Sequence, residues 1–170
     1  MNEIIERNGI KGHLHENGGG FVAETAHVDI TAYIGDNAWV GDNAQVGDNA
    51  QVGDNAWVGG DARVYGDARV YGDARVGGDA RVYGNAWVYG DARVYGDAKI
   101  KLATDYLTIG PIGSRNDFAT FTRSNQSVRT GCYHDTIDEF RKQVEKTHGT
   151  NQHAQRYLAA INLVKIMWGK

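Results

Sequence analysis

From Val22 to Ile100 a Val or Ile stands at every sixth position, and from Ala26 onward an Ala precedes each of them by two residues. An α-helix cannot keep a period of six with a β-branched residue in every unit and Gly-Asp or Asp-Asn between units. Ala-x-Val alternation instead puts both apolar residues on one side of a short strand and the intervening residue on the other. Gly-Asp and Asp-Asn supply residues that tolerate turns and left-handed backbone. The pattern therefore predicts short strands joined by corners, with Ala and Val filling one core. Two forms of the unit occur, Val-Gly-Asp-Asn-Ala-Gln as in Val40 to Gln45 and Val-Tyr-Gly-Asp-Ala-Arg as in Val64 to Arg69.

An aliphatic residue followed four positions later by a small one, repeated from Val22 to about Thr104, resembles the hexapeptide-repeat proteins. The resemblance implies a left-handed parallel β-helix in which three hexapeptides make one triangular coil, so residues 22–104 give about 4 coils. On that geometry the outward residues fall into three columns. These are Phe21, Trp39, Trp57, Arg75, Arg93; then His27, Gln45, Arg63, Arg81, Lys99; then Tyr33, Gln51, Arg69, Trp87. Phe21, Trp39 and Trp57 read as an exposed apolar strip and hence as a homo-oligomer interface, a trimer being favoured because many hexapeptide proteins are trimeric. The same column also reads as an aromatic ladder within one chain. Tyr65, Tyr71, Tyr83, Tyr89 and Tyr95 are expected to cover corners.

Residues 1–21 read as an N-terminal cap over the open end of the stack, with Gly18-Gly19-Gly20 as a flexible junction. His13 and His15 are two apart and could share a strand face, but no third ligand accompanies them and no metal site is assigned. Beyond residue 104 the period of six stops. Strands are predicted at 106–113, 117–123 and 127–133. Thr136-Ile-Asp-Glu139 is a capping box opening a helix with Ile137, Phe140 and Val144 on one face and Gly149 at its end. Asn151 caps a last helix whose apolar face is Ala154, Leu158, Ile161, Leu163, Val164 and Met167. The fold class is thus mainly β, a β-helix followed by a small ββαα module at 105–170. Ile109 to Asn116, Gly131-Cys132-Tyr133 and Asp138-Glu139-Phe140 make this module resemble C-terminal units of uncharacterised phage and gut-bacterial proteins, which implies a phage setting and the host cytoplasm.

The net charge of −3 hides a gradient from an acidic repeat to a basic tail. A continuous nucleic-acid surface is not expected, whereas the basic tail leaves room for a local anion site. No long apolar run spans a membrane, no secretory leader pattern opens the chain, and the single Cys132 cannot pair internally, so a cytoplasmic location is the expectation. Gly113, Ser114, Arg115 and Asn116 form a glycine-bounded turn rich in donors, suited to phosphate or carboxylate, which Arg123 and Arg129 could join from neighbouring strands. The structural alternative is a plain hairpin turn. Cys132 with His134 and Asp135 suggests a thiol nucleophile, but an oxyanion hole is missing and a buried, inert cysteine is expected. His148 and His153 read as surface residues.

Many hexapeptide proteins are acyltransferases, generally with a catalytic His and an excursion loop. Here the coils run without interruption and His27 is the only His in the repeat, with Asp29 nearby. The favoured reading is a non-enzymatic oligomeric binding protein, with no cofactor and no catalytic residue assigned. Its β-helix scaffold presents a C-terminal module to a partner protein or a small anionic, nucleotide-like ligand, in a phage setting acting on a host factor or signal. The alternatives are an acyltransferase using acyl-CoA and a structural spacer.

Overall fold

The computed structural model describes residues 3–169. It divides into two compact units, with the chain boundary between Ala103 and Thr104.

In the first unit each hexapeptide from His27 to Ile100 contributes a two-residue strand, and strands eighteen residues apart pair in parallel, as Trp39 does with Trp57 and Arg63 with Arg81. Three sheets result, one for each predicted column, with the repeat strands parallel in each. From Ala32 to Ile100 the repeat Ala and Val or Ile side chains are no more than 1% exposed, so the core is a column of small and branched residues stacked coil on coil. The chain accordingly builds a β-solenoid of about four turns.

The two forms of the repeat solve one problem at the corners. From Val40 to Val94 the second residue after each Val takes a left-handed backbone, and it is Asp42, Asp48 and Asp54 in the early coils and Gly60, Gly66, Gly72, Gly78, Gly84, Gly90 and Gly96 in the later ones. Asp tolerates this region because its short polar side chain bonds locally, and Gly because it lacks a Cβ. Where the two forms meet, each early Asp carboxylate accepts the N–H of the Gly one coil on: Asp42 from Gly60 at 2.7 Å, Asp48 from Gly66 and Asp54 from Gly72 at 3.0 Å. Each corner is pinned once at that level.

Ile5–Arg7 and Ile10–Leu14 form a hairpin through left-handed Asn8 and Gly9, and its second strand pairs antiparallel with Phe21–Ala23. The Gly18-Gly19-Gly20 segment is tightly packed rather than the flexible junction expected. Gly20 donates to Ile34 O at 2.8 Å, and a Cβ at Gly18 or Gly20 would strike the Ile34 or Gly35 carbonyl within 2.4 Å. His15 is buried and its Nε2 donates to Ala32 O at 3.0 Å. That ring nitrogen is therefore committed to the scaffold.

The second unit is an antiparallel meander of four strands, Tyr106–Ile112, Asp117–Thr122, Ser127–Thr130 and Tyr133–Thr136, followed by helices α1 (Ile137–His148) and α2 (Gln152–Trp168). The third predicted strand splits in two because Gly131 turns left-handed and folds Tyr133–Thr136 back as a fourth. Thr136 caps α1 by accepting from Glu139 N at 3.2 Å, and Asn151 caps α2 by accepting from His153 N and Ala154 N. Phe121, Val128, Phe140, Val144, Tyr157, Ile161 and Val164 form the core. Leu163 and Met167 are exposed instead of buried, and Tyr157, Ala160 and Trp168 take the inward face of α2.

The corner geometry predicts that alanine substitutions at equivalent glycines are unequal. Gly90→Ala meets no atom within 4 Å and incurs only the left-handed penalty of about 1–2 kcal/mol. A Cβ at Gly72 lies 2.8 Å from Gly90 N, so Gly72→Ala is clearly the more destabilising in urea unfolding followed by far-UV circular dichroism.

Candidate functional site

Strand parity in the meander decides which candidate residues meet. The turns Gly113–Asn116 and Gly131–Cys132 both follow strands running in one direction and lie at the same end of the sheet. The turn after Asp117–Thr122, which holds Arg123, lies at the other end, where Arg123 N donates to Asp105 O. Ser114, Arg115 and Cys132 therefore come together, and Arg123 is removed from the anion site that the sequence suggested.

A cleft of about 360 Å³ opens at this end between the sheet and both helices. Ser114, Arg115, Thr130 and Cys132 line it from the sheet, Gln143, Thr147 and His148 from α1, and Tyr157 from α2. Its floor is aromatic, with Phe140 packed against Tyr133 at 5.3 Å and edge-on to Tyr157 at 5.2 Å. Gly113 is obligatory here, since it is left-handed and a Cβ on it would lie 1.9 Å from the Tyr157 hydroxyl. Asn116, also left-handed, closes the turn by donating its N–H to Gly113 O at 3.4 Å, and its side chain is absent from the lining.

Cys132 is exposed, not buried and inert. Arg115 Nη1 donates to its Sγ at 3.5 Å. That hydrogen bond and the guanidinium charge hold the thiol below its ordinary pKa, with a smaller contribution from the charge of Arg129. The His134 partner suggested by sequence spacing stands across the hairpin from Arg129 instead. Sequence proximity pointed to the wrong neighbour, whereas the two glycine-marked turns, two strands apart in a meander, carried the signal for Arg115. Chemically the cleft offers an exposed guanidinium, several hydroxyls and a thiol of lowered pKa over an aromatic floor.

Residues 31–66 match the family model described as Bacterial transferase hexapeptide (six repeats), and residues 62–78 and 74–90 each match the YdcK Beta solenoid repeat. These matches and the three sheets make the first unit a hexapeptide-repeat β-helix. Comparison with curated proteins and with solved structures returns no match.

In the hexapeptide-repeat unit the interface candidates separate. Phe21 is fully buried, because the Trp39 ring lies 4.2 Å away, the hairpin backbone at Gly12 crosses it, and Arg7 stacks 5.6 Å from its centroid. Phe21 is therefore no part of an exposed strip. Trp39 and Trp57 are half-buried, each folded over a glycine, Gly41 and Gly59, where a Cβ would meet the indole within 2.6 Å. With Ile10, Arg75 and Tyr95 they line a groove of about 550 Å³. His27 is exposed, and its Nε2 lies 3.6 Å from Asp29 Oδ1. Asp29 Oδ2 accepts from Asp48 N at 3.0 Å, which steadies the carboxylate. Among the described residues no cluster of three metal-ligating side chains occurs, and no helix is long and apolar enough to cross a membrane.

The Arg115–Cys132 contact predicts a measurable reactivity. Because the folded thiol pKa is lowered, thiolate persists to lower pH, and Cys132 is alkylated by iodoacetamide faster at pH 7 than an unperturbed thiol. Arg115→Ala shifts the midpoint of the pH–rate profile upward and slows the reaction at pH 7, which timed mass spectrometry reads directly.

Proposed function

We propose that the chain is a non-enzymatic binding protein in which a self-associating β-helix carries a module that takes up a small anionic ligand in the Ser114–Arg115–Cys132 cleft. The observation that carries this reading is Arg115, held at the mouth of a concave, aromatic-floored site by its contact with Cys132. A guanidinium with hydroxyls at Ser114 and Thr130 suits a carboxylate or phosphate, and the Phe140, Tyr133 and Tyr157 rings suit a planar or apolar body attached to it. This is the composition expected for a nucleotide-like ligand. A phage setting, with a host signal as the ligand, rests on the resemblance of the module. Hexapeptide-repeat proteins commonly form trimers, and a trimer through the face of Trp39 and Trp57 is the assembly that the family suggests.

A second reading, acyl transfer from acyl-CoA, is favoured by the His27–Asp29 pair and by the transferase description of the matching family model. The pair has the elements of a general base and its orienting carboxylate. It sits on an open surface, His27 being 81% exposed in its side chain, and no loop interrupts the coils to enclose it.

Thermal-shift measurement against nucleotides, cyclic nucleotides and acetyl-CoA separates the two. A nucleotide stabilises the wild type and its effect falls at least about tenfold in apparent affinity in Arg115→Ala, the cost of one charge-assisted contact. An unchanged shift in that variant removes the cleft. Release of free CoA from acetyl-CoA that is lost in His27→Ala supports the transferase instead.

A further inference from the structure

The outward residues of the third sheet are Tyr33, Gln51, Arg69 and Trp87 from first coil to last. Aromatic rings stand at both ends and polar groups in the middle, so this column alone reads alike in both directions. It is also the most exposed aromatic face: Tyr33 is 39% exposed and Trp87 51%, and Arg69 stacks 5.1 Å from the Trp87 ring. A groove of about 390 Å³ lies between Gln51, Arg69, Tyr71 and Trp87.

Charge varies along the same axis. From Phe21 to Val58 the chain has six acidic residues and no Lys or Arg, whereas from Gly59 to Thr104 it has seven basic and six acidic ones. Asp48 and Asp54 are exposed at the corners on either side of Gln51, each with one carboxylate oxygen already accepting a backbone N–H. Their remaining charge faces solvent at that level.

We infer that this third face binds a second copy of the chain, antiparallel, about a twofold axis between the levels of Gln51 and Arg69. The inference takes up the self-association part of the reading above, assigns it to the third face and to a dimer in place of the trimer through Trp39 and Trp57, and is independent of the cleft. In this arrangement Arg69 of each copy meets the other at the level of Gln51, between the Asp48 and Asp54 corners, and Tyr33 meets Trp87. Arg69 is set against carboxylates and the aromatic rings against each other. Parallel packing, whether twofold or threefold, sets Arg69 of one copy at the level of Arg69 of the next. The other columns do not reverse in this way. The first has Phe21 covered by the hairpin, and reversal of the second sets Arg63 against Arg63.

Sedimentation equilibrium tests this on the full chain. The expected species has twice the 18.6 kDa chain mass and dissociates more readily as salt rises. Trp87→Ala and Arg69→Glu each raise the dissociation constant at least about tenfold with unchanged circular dichroism, as loss of a central contact does. Arg69→Glu chains regain dimerisation when mixed with Asp48→Arg, Asp54→Arg chains. Orientation is read in a Cys132→Ser background: mixing Gln51→Cys with Arg69→Cys chains yields an intermolecular disulfide under mild oxidation, and Gln51→Cys alone does not. A trimer, or self-cross-linking of Gln51→Cys, overturns the antiparallel arrangement while leaving self-association standing. A monomer overturns both, and none of these outcomes bears on anion binding at Arg115.

Discussion

A β-helix with six residues per side has to turn at each corner, and from Asp42 to Gly96 this one does so by placing one residue of each hexapeptide in left-handed backbone. Few residue types accept that conformation cheaply. The corner therefore constrains the sequence more tightly than the core does, where an aliphatic residue and an alanine suffice. Both forms of the repeat meet the constraint at the same position, Asp at Asp42, Asp48 and Asp54 and Gly from Gly60 onward. Moving the glycine by one place frees the position before it for Tyr in most later units. The Tyr65, Tyr71 and Tyr95 rings then fold back over Gly47, Gly53 and Gly77 of the previous coil. Tyr65 and Tyr71 also donate through their hydroxyls to Gln45 and Gln51. The alternation of forms thus links neighbouring coils by ring-on-glycine packing, in addition to the backbone ladder.

That arrangement leaves the outward positions free to vary, and they vary by level rather than by face. Early coils carry aromatic and amide groups above acidic corners, and later coils carry arginine. Stacked like charges along a sheet are unfavourable. Among them Arg69 is relieved by the Trp87 ring, and the early Asp carboxylates by the amide N–H groups they accept. A prism polarised in this manner has a preferred way to meet another, which is the physical basis for reading its surface as an assembly surface.

The C-terminal module applies a different rule. In a four-stranded meander alternate turns share an end, so residues seventeen apart, Arg115 and Cys132, become neighbours while Arg123 goes to the opposite end. The helices close over that end and supply His148 and Tyr157. A thiol that its own sequence neighbours leave unremarkable acquires a cationic partner and an exposed position.

The sequence by itself determined the β-solenoid, its three columns, the inward Ala and Val and both helix caps, because each follows from a local period or a cap within a few residues. It could not determine that Phe21 is buried, since the Gly12 backbone and Arg7 reach it through a hairpin whose docking no period encodes. Nor could it decide the state of Cys132 or the inward face of α2. Leu163 and Met167 suited a helical stripe as well as Tyr157 and Trp168 did, and only packing against the sheet selected between them. Periodicity specifies which side of an element is apolar. What that side meets, and which distant turns share a cleft, depends on how the elements are assembled in three dimensions.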